Sequence, residues 1–343
     1  KNQRAPHKVD VVHSVCPCAG LSQLSTIASS DNQANRWLIN TTKYVLDEMQ
    51  PLVFFGENAP GLAGSIGEGV RDQLRAIGVE HGYTMSVYRT KTLMHGGPQV
   101  RERSFYFFWK GNKTPLLGYY HRAHTPIEEV IANAKGNTQQ EPINKSTPTA
   151  DPYYKYILEN ICGGMSHREF AAQIEPRKAR GQDTFSFIEK HNIEYTQLSE
   201  WMTAHGYEKE AAACLRKHDK LKSGMQIMRR GVIVPKDYIG AFVGHHPMMV
   251  THPIEDRFIT YREAMTIMGM PDNFELLEPR KSVNHICQNV PVQTATDIAT
   301  EVLAYINNER ELIDTPFLFQ YNHNQKHVIE ASKTRTTVDM FFN

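Results

Sequence analysis

No apolar run in this chain approaches the ~20 residues that a membrane-spanning helix requires, and no signal-peptide pattern opens it. Neither charge is in excess: 38 Lys and Arg stand against 37 Asp and Glu, a formal net charge of +1 at pH 7. The first two absences imply a soluble, cytoplasmic protein. The third removes the global basic field that announces many nucleic-acid binders, so such a partner would have to be held by a local basic cleft. Cysteine is scarce as well. Cys16, Cys18, Cys162, Cys214 and Cys287 include no Cys-x-x-Cys pair and are odd in number, which argues against a zinc ribbon and a disulfide framework and points to a reducing compartment. There is no internal repeat.

At 343 residues the chain can bury one large core or two domains. Strand-like runs at 9–15, 52–56, 84–88 and 104–109 alternate with helix-like segments at 34–48 and 66–81, which predicts an α/β sheet within residues 1–110. From 111 to 256 the pattern becomes polar and Pro- and Gln-rich, then helical and charged, as expected of an inserted domain. Residues 257–310 return to the first domain, and 311–343 read as a tail. Thr260 and Glu263 form a capping-box pattern ahead of an apolar helix. A last amphipathic helix over 294–307 is expected to gather Ala295, Ile298, Ala299, Val302, Leu303 and Ile306 on one packed face. His245 and His246 have no further ligands at a metal-binding spacing.

Three short segments carry chemistry. Val15-Cys16-Pro17-Cys18-Ala19-Gly20-Leu21-Ser22 follows the first strand, Glu57-Asn58-Ala59-Pro60-Gly61-Leu62 follows the second, and Gln99-Val100-Arg101-Glu102-Arg103 precedes the fourth. Ligands of open α/β sheets bind at the carboxyl ends of the strands, so a thiol, a carboxylate and two guanidiniums converge on one sheet edge. Each has an ordinary explanation alone. A single cysteine is usually a small buried hydrophobe, Glu57 could cap or face solvent, and the arginines could be a solvated charge run. Their order and their strand-end positions favour function.

Together with Tyr261-Arg262-Glu263 and Asn289-Val290-Pro291-Val292, these segments resemble the motifs of the DNA cytosine-C5 methyltransferase family, over roughly residues 10–309 with a poorly matched middle. The resemblance implies an α/β, Rossmann-like S-adenosylmethionine-dependent methyltransferase fold, its N-terminal part missing from this chain, with a target-recognition domain inserted at 111–256. It implies methyl transfer from S-adenosylmethionine to carbon 5 of cytosine in double-stranded DNA, by base flipping and a covalent bond from Cys18 to carbon 6. Glu57 then addresses N3 and the exocyclic amine, Arg103 reaches O2, and Arg101 fixes the catalytic loop or a phosphate. Asn289 and Pro17 are expected at the cofactor. Ser22, Gln99, Arg216, Lys217, Arg229 and Arg230 are expected at the nucleic acid, with Lys220 and Lys222 beside them, although the 216–230 stretch reads equally well as a solvated helix face. Arg262 and Glu263 are scaffold, and Cys162, Cys214 and Cys287 are structural or incidental.

The sequence departs from the family's pattern. Cys16 stands where Pro is more common, Gln288 replaces Gly before Asn289, and one residue fewer precedes Pro291. The family's Phe-x-Gly-x-Gly turn and its acidic ribose ligand are not found, since Gly64-Ser65-Ile66-Gly67-Glu68-Gly69 follows Glu-Asn instead of opening the sheet. A strand begins almost at once after Lys1, so a companion chain or N-terminal segment is expected to carry the cofactor half and cover an otherwise unpaired edge. The alternative function is a non-catalytic DNA-binding or regulatory subunit, against which the retained Cys18, Glu57 and Arg103 argue. An RNA-directed relative is a third reading. A restriction-modification, orphan or viral genome-protection role would suit a prokaryotic or viral source.

Overall fold

The computed structural model describes residues 9–18, 20–22, 28–173, 182–225, 227, 231–244, 246–331 and 334–336. The chain forms two compact units: residues 1–96, 101–123 and 293–343 in the first, and 97–100 with 124–292 in the second. These units do not follow the compositional boundaries at 111 and 256, and the reasons are visible. The polar segment after 111 joins the first unit because the Leu117 N–H donates to Gln320 Oε1 at 2.9 Å, Gln320 Nε2 donates to the Leu117 carbonyl at 2.9 Å, and the Tyr120 N–H donates to Asn322 Oδ1 at 2.7 Å. Residues 257–292 stay with the second unit because Ile259, Tyr261, Met265, Met268, Val283 and Cys287 share one apolar cluster with Ile127 and Phe242.

In the first unit, β1 (Val11–Val15), α1 (Asn35–Tyr44), β2 (Val53–Asn58), α2 (Glu68–Glu80), β3 (Tyr83–Lys91) and β4 (Glu102–Lys110) are followed, after the second unit, by α3 (Val292–Ile306), β5 (Phe317–Tyr321), β6 (Lys326–Ala331) and β7 (Thr334–Thr336). The sheet order is β1-β2-β4-β3-β5-β6-β7. The β1–β2 and β3–β5 pairs are parallel, while β4 runs antiparallel to both its neighbours. This arrangement brings the carboxyl ends of β1, β2, β3 and β5 and the amino end of β4 to one edge of the sheet.

Residues 105–109 of β4 form an unbroken apolar run, as in a strand covered on both faces. Tyr106 and Phe108 join Phe54, Leu38, Val70 and Leu74 in a core under α1 and α2, while Trp109 meets Tyr305 of α3 at 4.7 Å on the other face. Gly56 cannot carry a side chain here: a Cβ would lie 2.2 Å from the Tyr106 hydroxyl and 2.3 Å from the Ser14 carbonyl. Among the described residues β1 has one neighbour, β2, and Val11 and Val15 are exposed, Val15 by 64%.

The packed face of α3 differs from the amphipathic expectation. Ala295 and Ala299 are exposed and Leu303 is 58% exposed. The buried face is Thr294, Asp297, Ile298, Glu301 and Val302. Its acids are satisfied by distant partners: Asp297 accepts from His95 Nδ1 and pairs with Arg122, both at 2.8 Å. Glu301 accepts from the Tyr120 hydroxyl at 2.5 Å and the Gly118 N–H at 2.9 Å, and pairs with Arg310 at 2.7 Å. A hydrophobicity pattern reads such acids as solvent-facing and so rotates the helix.

The second unit is mostly short helices over two apolar clusters. The capping box forms as the sequence predicts, with Thr260 and Glu263 each bonding the other's backbone N–H. Buried Arg262 donates to the Phe274 carbonyl at 2.7 Å, and Glu263 holds Arg257 at 2.7 Å. Among the described residues no helix is long and apolar enough to cross a membrane.

Candidate active site

β1 and β2 run side by side with Val15 opposite Glu57, so the Cys16–Cys18 segment leaves the sheet next to the Glu57 carboxylate. Cys16 is buried, its Sγ 3.5 Å from the Ser14 hydroxyl, whereas Cys18 is exposed. The chain then turns tightly. The Leu21 N–H donates to the Cys18 carbonyl at 3.0 Å, and Leu21 is buried. Its carbonyl presses on Gly61, where a Cβ would meet that oxygen at 2.1 Å. Gly61 of the second motif is thus the seat of the cysteine turn of the first. Downstream, the Ser29 N–H donates to the Gly20 carbonyl at 3.0 Å. Buried Asn35 donates from Nδ2 to the Ser29 and Ser30 carbonyls at 2.9 and 3.0 Å.

Glu57 stands at the end of β2 and forms an ion pair with Arg103 Nε from β4; the two side chains are 13% and 18% exposed. Burial raises the Glu57 pKa above its ordinary value, opposed by the charges of Arg103 and Arg101. Arg103 also donates to the Glu102 carbonyl at 2.8 Å. Arg101 is buried, and its carbonyl accepts from the Thr92 N–H at 2.9 Å. Thr92 in turn accepts from the Thr294 hydroxyl at 3.3 Å. Next to Arg103 in register is Thr90, whose hydroxyl lies 2.6 Å from His95 Nε2, and His95 is bonded to Asp297. The segment Arg101–Arg103, at the start of β4, is therefore braced by α3 through two side-chain relays. Sequence reasoning missed Asn35 and this bracing set, because the partners lie far apart in the chain and share no local pattern.

The structure brings Cys18, Glu57, Arg101 and Arg103 to one sheet edge. Ser22 is half-buried beyond the cysteine turn, and Arg216 is exposed on the helix Glu208–Lys222. Two nucleic-acid assignments are corrected. Gln99 is fully buried: Nε2 donates to Met268 Sδ at 3.2 Å and Oε1 accepts from the Phe242 N–H at 3.4 Å, so it is a core amide. The Lys217 ammonium lies over the Tyr153 and Phe185 rings at 4.7 and 4.3 Å and donates to the Tyr153 hydroxyl at 3.3 Å. Burial lowers its pKa. Its charge is spent inside its own unit. Arg229, Arg230 and His245 lie outside the described residues.

Pro17 and Asn289 are both exposed, but they belong to different compact units. Among the described residues, the only carboxylate at the carboxyl end of a parallel strand is Glu57, and it is engaged by Arg103. Among the described residues, Gly61 and Gly67, which follow β2, are taken up by packing, Gly61 against the Leu21 carbonyl and Gly67 against the Gly61 and Leu62 carbonyls. The described residues therefore do not by themselves fit a nucleoside cofactor. Nor do the described residues hold a cluster of three metal-ligating side chains.

Residues 1–304 match the family model of C-5 cytosine-specific DNA methylases. No curated protein sequence matches the chain. Among solved structures, one described as a DNA modification methyltransferase encoded within an E. coli prophage is similar at a TM-score of 0.50 and 18% identity, covering 89% of this chain and 81% of that one. The Entamoeba histolytica methyltransferase EhMeth is similar at a TM-score of 0.48 and 11% identity, covering 87% and 78%.

Proposed function

The chain belongs to the C-5 cytosine-specific DNA methylase family, and from that premise we propose that Cys18, Glu57 and Arg103 convert a flipped cytosine into a covalent adduct activated at carbon 5. Carbon 5 is a weak nucleophile while the ring is conjugated. Addition of the Cys18 thiolate to carbon 6 breaks that conjugation and pushes the electron pair toward N3 and O2, leaving an enamine at carbon 5. Glu57, protonated, donates toward N3, and the Arg103 guanidinium takes the charge that develops on O2. The enamine then takes an electrophile at carbon 5, which S-adenosylmethionine would supply as a methyl group and water supplies as a proton in its absence. Loss of the original carbon-5 proton to solvent, with its electron pair forming the C5–C6 double bond as the thiolate leaves carbon 6, restores the ring. Extruding the base costs a few kcal/mol, and the turn seated on Gly61 delivers the thiol to it.

The observation that carries this reading is the Glu57–Arg103 pair, set in a poorly solvated sheet edge with Glu57 opposite Val15 of the strand that leads into Cys18. Burial holds the carboxyl closer to the neutral form that a proton donor needs. The family's donor, S-adenosylmethionine, finds no cradle among the described residues, so we place it on a companion chain or segment that pairs with β1 on the side away from β2, where no described strand lies. The exposed Val11 and Val15 support this placement. The compact unit containing residues 124–292 serves as the target-recognition domain, with Arg216 meeting phosphate.

The test needs no methyl donor. In deuterated water the enamine takes a deuteron at carbon 5, and elimination then returns cytosine labelled there. The complete enzyme, companion included, is expected to exchange the carbon-5 hydrogen of duplex DNA, and Cys18→Ser to abolish exchange while still binding DNA. Exchange that survives in Cys18→Ser removes Cys18 as the nucleophile.

A further inference from the structure

Within the second unit, a cavity of about 510 Å³ opens among residues that the proposed reaction leaves unused, a size typical of small-molecule sites. Its floor is apolar and aromatic, with Tyr261 and Val283 nearly fully buried. Its rim is charged: Lys145 and Arg280 supply two cations and Glu141 one carboxylate, all on exposed residues. None of the three has an ion-pair partner among the described residues. Arg280 and Glu141 both act electrostatically on the Tyr261 phenol, so the rim charges converge above the floor. Asn284 also lines the cavity, and its amide oxygen is buried without a hydrogen-bond partner.

A flat ring covers such a floor well, and two unpaired cations beside it ask for an anion. One carboxylate among them asks for an N–H donor. A metal ion would find a single carboxylate, too few oxygen ligands. A fatty acid could set its carboxylate between Lys145 and Arg280 but would bring no donor for Glu141. We propose that this cavity binds a nucleotide whose base carries an exocyclic amine, the ring against Tyr261 and Val283, the phosphate between Lys145 and Arg280, and the amine toward Glu141. The nucleotide is either free or displaced from a DNA strand. The inference goes beyond the Cys18 chemistry and stands without it.

The complete enzyme carrying Cys18→Ser is irradiated with 8-azido-deoxyadenosine monophosphate, and separately with duplex DNA containing 8-azidoadenine, and adducts are mapped by peptide mass. An adduct on the Tyr261 peptide is expected in at least one arm, and the arm identifies the source. Lys145→Gln with Arg280→Gln, both at exposed positions, should cut labelling at least about fivefold. Deoxyadenosine monophosphate should compete at least about fivefold better than thymidine monophosphate, the lower range for one specific base contact. No adduct at Tyr261 in either arm, or labelling that the double variant leaves unchanged, overturns the proposal. Because Cys18 is already replaced, failure of the proposed reaction would leave this result untouched.

Discussion

Glu57 and Arg103 form an ion pair from neighbouring strands, and the pair does not repay the burial of the acid: the Glu57 carboxyl still titrates above its ordinary value. A salt bridge retained at a net cost to the carboxylate is poor evidence for stability and better evidence for a task that uses the proton. Arg103 orients the acid and opposes, without cancelling, the effect of its burial.

Glu57→Gln should therefore separate activity from stability. Carbon-5 exchange should fall by roughly 10²–10⁴, the usual worth of a positioned acid. A raised carboxyl pKa favours the folded state when protonated, so this contribution is full below the unfolded value and is lost as pH rises through the folded one. The Tm of Glu57→Gln relative to the parent should accordingly climb with pH from below the ordinary Glu range and then level off. Calorimetry across that window checks it. A difference that shrinks with rising pH would mean that Arg103 dominates.

The bracing of β4 by α3 makes a second, inverted prediction. Asp297 is buried against His95 and Arg122, while Leu303 is exposed. Asp297→Ala should destabilise by about 1–3 kcal/mol, the cost of leaving the buried His95 ring nitrogen without its acceptor. Leu303→Ala should stay within about 0.5 kcal/mol, as surface changes do. Denaturant unfolding of the two variants checks both, and the reverse order would restore the helix face that hydrophobicity alone selects.

The same contrast shows what the sequence made legible. The strand-end motifs were readable because thiol, carboxylate and guanidiniums sit where apolar runs stop, and β2 and β4 do place Glu57 and Arg103 together. The capping box was readable because its two bonds span three residues. Asp297 and Glu301 were not, since an acid's burial depends on partners about two hundred residues away, such as His95 and Gly118. Gln99 and Lys217 looked like nucleic-acid contacts for a related reason. An amide or an ammonium carries no local mark of being satisfied by a thioether, a backbone N–H or an aromatic ring.

On the helix Glu208–Lys222, adjacent cations should then behave differently. Arg216→Ala should lower the slope of log K for DNA against log salt by about 0.9, one phosphate's share, with little change in Tm. Lys217→Ala should leave the slope alone and lower Tm, because it removes the cation from Tyr153 and Phe185 and the cover from that core. Binding titrations at four or five salt concentrations measure the slopes. A reduced slope for Lys217→Ala would mean that the ammonium leaves its rings when DNA arrives.

Gly61 offers the sharpest link between packing and chemistry. Its substitution by Ala would put a Cβ 2.1 Å from the Leu21 carbonyl, a backbone atom that can yield only by moving the turn that starts at Cys18. The first helical turn after β2 is fixed by Pro60 and by Arg71, which donates to the Leu62 and Gly64 carbonyls at 2.6 Å each, so the strain passes to the cysteine side. A displacement near 1 Å at a nucleophile costs roughly 10²-fold in rate. Gly61→Ala should thus form the carbon-6 adduct about 10²-fold more slowly while binding DNA normally, with the ion pair of Glu57 and Arg103 intact. Trapping on duplex DNA containing 5-fluorocytosine, with the methyl donor and the complete enzyme, reads this directly. The fluorine cannot leave as a proton does, so each productive encounter is held as an adduct whose rate of appearance is the measurement. An unchanged rate would show that the turn has room to move and that Gly61 does not seat the nucleophile.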